Sequence, residues 1–148
     1  MNFKFPSQIV TSEDAGLAMR NLEGRLSNVS ANKNEETGRL LGDAVIFANQ
    51  ELYEQLGLTG LVKLYHEVLG AVPVFVVILA SEPHDSILQE LSSWFRANLH
   101  PNSLLQVSVR RSIGGGIVIR SKNRIFDFSL RPKLLAAKSR LGEVLHSV

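Results

Sequence analysis

Apolar residues recur at three- and four-residue steps through the first half of the chain, then switch to continuous and alternating runs in the second. The first period is that of a helix with one buried stripe, and the second is that of strands. Ala15, Ala18, Leu22, Leu26 and Val29 share one face of a helix predicted from about Ser12 to Val29. Thr11 is placed to cap it, and Glu13 and Asp14 carry negative charge to its electropositive end. Ser30 to Asn34 read as a polar connection. A second helical zone is predicted from about Glu36 to Leu69, with a break near Gly57-Leu58-Thr59-Gly60. Its apolar positions are Leu40, Leu41, Ala44, Phe47, Ala48, Leu52 and Leu56, then Leu61, Leu64, Tyr65, Val68 and Leu69. Gly38 and Gly42 weaken its start, because glycine loses more backbone freedom in a helix than alanine does.

The pattern changes at Pro73. Val74 to Leu79 is short, apolar and rich in β-branched residues, and it predicts a strand covered on both faces. Asp85 is placed to cap a helix running to about Leu99, with Ile87, Leu88, Leu91, Trp94 and Phe95 as its stripe and Trp94 as a core anchor. His100-Pro101-Asn102 stops that helix. Leu105, Val107 and Val109 alternate with polar residues, as in a half-buried strand. After the run Gly114-Gly115-Gly116, a hairpin can be tested for register. A two-residue turn at Lys122-Asn123, or a four-residue loop of the same parity, sets Ile119 opposite Phe126 and Ile117 opposite Phe128, so that four apolar side chains share one face, expected to be core. A three-residue turn mixes the faces. Ser129 caps a last helix, about Leu130 to His146, with Leu134, Ala137, Leu141 and Val144 or Leu145 on its stripe.

The resulting fold class is α/β (α+β-like): a small mixed sheet in strand–helix–strand–hairpin–helix order, preceded by a helical segment. The expected division is 1–71 and 72–148.

Composition narrows the chemistry. With 16 basic and 14 acidic residues the net charge of +2 is too mild to argue for nucleic acid. Cysteine is absent, which removes disulfides, thiolate metal sites and cysteine nucleophiles. The N-terminus does not read as a secretory signal, and the longest apolar run, Ala71 to Ala80, is too short to cross a bilayer as a helix. The glycines lead into a strand, whereas a phosphate loop leads into a helix N-terminus. They therefore read as a bend or bulge. Arg110, Arg111, Arg120, Lys122, Arg124, Arg131 and Lys133 gather about the hairpin 110–133. They read as a solvated rim, with a small RNA-binding module as the alternative. His66, His84, His100 and His146 have no metal-ligand spacing, and Asp127 has no second acid beside it. No catalytic residue, cofactor or metal is expected.

From about Val72 to Leu145 the order of features resembles the delta subunit of F-type ATP synthases, the oligomycin-sensitivity-conferring protein family. The likeness rests on Ile113-Gly114-Gly115-Gly116-Ile117-Val118-Ile119-Arg120, then Ile125-Phe126-Asp127-Phe128-Ser129-Leu130 and Leu134, with Val74 to Pro83 upstream. The resemblance implies a non-catalytic peripheral-stalk subunit that joins the catalytic head, through its alpha subunits, to b-type stalk helices and so supports proton-driven ATP synthesis. It implies no small-molecule substrate, and a cytoplasmic place on the inner face of the cell membrane through the complex alone. On that basis Gly114, Gly115, Gly116, Asp127 and Ser129 are expected to be architectural, and Leu134, Leu141 and Leu145 to meet a partner. The region before Val72 is shorter than the helical bundle that usually opens family members.

Overall fold

A computed structural model describes residues 2–27 and 36–129. Its elements are α1 (Ser12–Ser27), α2 (Glu36–Ala48), α3 (Gln50–Ala71), β1 (Val74–Leu79), α4 (Asp85–Asn98), β2 (Leu104–Val109), a single 3-10 turn (Arg111–Ile113), β3 (Gly116–Arg120) and β4 (Ile125–Ser129). The chain is thus a mixed α/β protein, with a helical N-terminal region and a four-stranded mixed sheet in the order β2-β1-β3-β4. The chain divides into two compact units, one of residues 1–74 with 85–106 and the other of 75–84 with the chain from 107 onward.

The first unit is built on α1. Its start is closed reciprocally: Thr11 Oγ1 accepts the Asp14 N–H (3.1 Å), and Asp14 Oδ2 accepts the N–H groups of Thr11 (3.0 Å) and Val10 (3.1 Å). Donors that the first helical turn leaves without intrahelical partners are satisfied in this way. Ala15, Ala18, Met19 and Leu22 then face a core shared with Leu41 and Val45 of α2 and with Leu52, Leu61, Val62 and Tyr65 of α3. Gly38 and Gly42, one turn apart on α2, let the two helices approach closely. A Cβ at Gly42 would lie 2.5 Å from Asn21 Oδ1, and one at Gly38 would lie 3.3 Å from the Leu17 carbonyl. The cost of glycine in a helix is therefore offset by packing.

Two interruptions shape the helical zone. The expected break is a kink at Gly57, whose φ of 68° and ψ of −178° are open to glycine and strained for other residues. The unexpected one is Asn49, which separates α2 from α3. Its Oδ1 accepts the Lys4 N–H (2.8 Å) and its Nδ2 donates to the Lys4 and Val45 carbonyls (2.8 and 2.9 Å). A buried amide so fully bonded stabilises a local break that periodicity does not reveal.

Residues 2–10 form no regular element, yet Phe3, Phe5, Ile9 and Val10 are buried. Phe3 stacks on Tyr65 with centroids 5.3 Å apart, and Phe5 meets the same ring edge-on at 5.5 Å. The Tyr65 hydroxyl donates to the Ala15 carbonyl at 2.7 Å. Asn102 holds the segment from the other side: its Oδ1 accepts the Phe5 N–H (2.9 Å) and its Nδ2 donates to the Phe3 carbonyl (2.9 Å). Arg96 of α4 donates to the carbonyls of Pro6 (3.0 Å), Ile9 and Ser103 (3.3 Å). Burial lowers the Arg96 pKa, but three carbonyl acceptors compensate the charge where water is partly excluded.

In the second unit β3 pairs antiparallel with β1 on one side and with β4 on the other. Ile78, Ile113 and Val118 form its buried cluster, with Val76 and Ala80 packed against them.

Several expected core positions lie elsewhere. Trp94 is 56% exposed rather than a core anchor, and Ile87 is also exposed, while Phe95 and Ser92 of the same helix are buried. Buried Ser92 and Phe95 show that the covered face of α4 is rotated from the apolar stripe, toward its small residue. Leu40, Phe47 and Leu56 are exposed as well.

Candidate functional site

The glycine turn and the hairpin it feeds carry most of the residues singled out by sequence. Arg110 enters the turn with its N–H donating to the Leu79 carbonyl (2.7 Å). The 3-10 turn follows, and the Gly114 N–H closes it on the Arg111 carbonyl (3.1 Å). Gly114, Gly115 and Gly116 have φ of 75°, 142° and 76°. Three successive positive φ values exclude side chains with a Cβ at little strain, so the run is fixed by backbone geometry. Its result is to set Ile113 against Ile78 and Val118.

The hairpin has the predicted register: Ile117 faces Phe128, Ile119 faces Phe126, and Arg120 faces Ile125. The turn is closed by the Ser121 N–H on the Arg124 carbonyl (2.9 Å), leaving Lys122 and Asn123 at its tip. The expectation that the Ile117–Phe128 face is core is corrected. Phe126 is 44% and Phe128 62% exposed, and Ile117 and Ile119 are half-buried. The opposite face is covered at Val118, because the glycine turn brings Ile113 there. Asp127 lies across from Val118 and diagonal to Arg120, exposed. Ser129 pairs through its backbone with Gly116 at the end of β4. The helix expected from Leu130, with Leu134, Leu141 and Leu145, lies outside the described residues, as do His146, Arg131 and Lys133.

The remaining histidines do not converge. His66 Nε2 lies 2.6 Å from Glu23 Oε1, His100 Nδ1 accepts the Asn102 N–H at 3.1 Å, and His84 is exposed on a loop. Among the described residues no group of three or more metal-ligating side chains comes together, and no helix is long and apolar enough to cross a membrane. Among the described residues Tyr65 and Arg96 have shifted pKa values and both serve packing: burial raises the Tyr65 pKa, with the Asp14 charge adding to it, and burial lowers that of Arg96. The second unit presents a glycine turn and an exposed apolar hairpin face, with Arg110, Arg111, Arg120, Lys122 and Arg124 exposed around it.

In the first unit a different feature escaped the sequence. Phe47 stands 81% exposed between two surface hollows. One, of about 560 Å³, lies against Asn2, Lys4 and Glu51, and the other, of about 350 Å³, against Asp43, Ile46 and Tyr53; Gln50 and Glu54 line both. The signal available beforehand was that α2 is apolar on more than one side.

Comparison with known families matches residues 57–141 to the ATP synthase delta (OSCP) subunit family. Comparison with curated proteins gives no match. The family region begins at the Gly57 kink and contains both the glycine turn and the hairpin.

Proposed function

Because a match over more than half of its 148 residues places the chain in the ATP synthase delta (OSCP) subunit family, we propose that it works as the linker of the peripheral stalk, joining the catalytic head to b-type stalk helices. Family membership makes it a peripheral-stalk subunit of ATP synthase, a structural role. The finer assignment, contact with alpha and b-type subunits, is our reading.

The observation that carries it is the matched region itself, which spans the second half of α3, the sheet, the glycine turn and the hairpin. A stator linker must transmit load through backbone and packing, without reacting. Gly114, Gly115 and Gly116 suit that work as a joint whose geometry is set by steric exclusion. The exposed Phe126 and Phe128 supply apolar area of the kind that anchors interfaces. Leu134, Leu141 and Leu145 extend the proposed contact region. Membrane placement, on this reading, is acquired through the complex, and the basic rim lies at the edge of that contact. The family match gives the RNA-binding alternative no support.

The test is recovery of the tagged full-length chain from cell membranes in mild detergent. Alpha and b-type subunits should be retained, and a Phe126→Ser, Phe128→Ser variant that remains folded should retain less b-type subunit. Recovery of the chain without any synthase subunit would overturn the proposal.

A further inference from the structure

Residues 2–6 are held on the first unit in the way a separate peptide is held by a receptor. Asn2 and Lys4 are exposed while Phe3 and Phe5 are buried, the alternation of an extended chain. Pro6 favours that shape, because the residue before a proline is restricted to extended geometry. Asn49 takes both backbone groups of Lys4, accepting its N–H and donating to its carbonyl (each 2.8 Å). Asn102 takes the groups on either side, donating to the Phe3 carbonyl and accepting the Phe5 N–H (each 2.9 Å). Successive residues of an extended chain turn their backbone groups to opposite edges, so the two amides grip both edges. Arg96 adds donors to the carbonyls of Pro6 and Ile9.

Each of these groups is also fixed from outside the segment. Asn49 Nδ2 donates to the Val45 carbonyl at 2.9 Å, and Arg96 Nε to the Ser103 carbonyl at 3.3 Å. The Asn102 N–H rests on His100 Nδ1 at 3.1 Å. Tyr65, on which both phenylalanine rings pack, donates to the Ala15 carbonyl at 2.7 Å. Those anchors do not involve residues 2–6, so the site is organised in advance, and a preorganised site loses little freedom on binding. Its selectivity is legible too. The amides bond backbone alone and Lys4 is exposed, which leaves the middle position open to any residue, whereas the two rings and the proline are buried. We propose that Asn49, Tyr65, Arg96 and Asn102 form a binding site for an extended aromatic-x-aromatic-proline segment of a second protein, closed in this structure by residues 2–6 as a competitor in cis. The competitor is tethered through Val10, whose carbonyl accepts the Leu105 N–H at 3.0 Å, and it acts at an effective concentration on the order of millimolar. A partner segment enters by displacing it. This inference does not rest on the peripheral-stalk reading.

The probe is a labelled peptide with the sequence of residues 2–10, and the receptor is the full-length chain opened by Phe3→Ser, Phe5→Ser. Circular dichroism first checks that the opened chain keeps the parent helicity. If it does not, Phe5→Ala, which leaves Phe3 stacked on Tyr65, takes its place. Fluorescence anisotropy should show the peptide binding the opened chain at least about tenfold more tightly than the parent, where the cis segment competes. Excess peptide should raise the melting temperature of the opened chain. Replacing both phenylalanines of the peptide by serine should weaken binding roughly tenfold or more. Replacing its lysine by glutamine should change binding by less than about twofold at moderate salt, which separates the backbone grip from charge attraction. Adding Asn102→Ala to the opened chain removes two hydrogen bonds and should weaken the peptide roughly tenfold. Absence of binding to an opened chain of parent helicity, equal binding of the serine peptide, or binding unchanged by Asn102→Ala would each overturn the proposal. So would sedimentation showing a parent dimer that Phe3→Ser, Phe5→Ser dissociates, because a second copy would then be the occupant.

Discussion

Asn21 and Gly42 meet where α1 and α2 come closest, and their geometry sets two effects against each other. Alanine at Gly42 gains about 1 kcal/mol in helix propensity. Its Cβ, however, would sit 2.5 Å from Asn21 Oδ1, which also accepts the Arg25 Nε–H at 2.9 Å. Arg25 in turn donates to the Arg39 carbonyl (3.2 Å) and to Asp43 (2.7 Å), so the amide is not at liberty to swing aside. Overpacking of this kind costs roughly 1–3 kcal/mol. Gly42→Ala should therefore destabilise the chain by about 1 kcal/mol in urea unfolding, and in an Asn21→Ala background the same change should stabilise it by a similar amount. Additivity of the two substitutions would refute the clash. Tyr65 gives a second residue-level outcome, this time with pH. Its raised pKa means that the folded chain keeps the phenol neutral where the unfolded chain ionises. Stability from this group is complete below the ordinary tyrosine pKa of about 10 and is lost as pH rises beyond it, by up to about 1.4 kcal/mol per pH unit. Urea midpoints measured from about pH 8 to 11 should fall less steeply in Tyr65→Phe than in the parent.

At the scale of elements, regularity decides what a sequence displays. The six residues of β1 and the pairing of β3 with β4 were both legible, because a period of two leaves a single register that keeps apolar partners together. Which hairpin face is covered was not legible: that depends on Ile113, delivered by a glycine turn whose exit direction has no periodic signature. The kink at Gly57 announced itself by residue type, whereas the break at Asn49 depends on a partner 45 positions away. The same holds for residues 2–10, whose bonds to Asn102 and Arg96 span about ninety positions or more. Arg96 supports three carbonyls in a fork that lysine does not reproduce. Both Arg96→Ala and Arg96→Lys should therefore cost roughly 2–3 kcal/mol. Hydrogen exchange should accelerate first at the amides of Phe5 and Ile9, ahead of those in the middle of α1. Unchanged protection at those two amides would show that the aromatic packing of Phe3 and Phe5 on Tyr65 holds the segment without Arg96.

For the whole molecule, the useful distinction is between doing chemistry and restraining something that does. The candidate site was legible as a motif, Gly114 to Ser129, and that motif falls inside the family region. The Phe47 face was not, since an exposed aromatic and a buried one have the same place in a helical repeat. On the proposed reading the chain contributes no group to ATP hydrolysis, which takes place in the catalytic head. Proton-driven synthesis, in contrast, needs that head held still while the rotor turns. Loss of the proposed linker should consequently separate two activities of one enzyme. Membranes stripped of this chain should retain most ATP hydrolysis and lose most proton-driven synthesis, and adding back the full-length chain should restore synthesis. Add-back of a folded Phe126→Ser, Phe128→Ser variant should restore less, if the exposed hairpin face is where load passes to the stalk. Hydrolysis and synthesis measured on the same membranes provide the test. A parallel fall of both would place the chain's effect on the head itself and would rule out the linker.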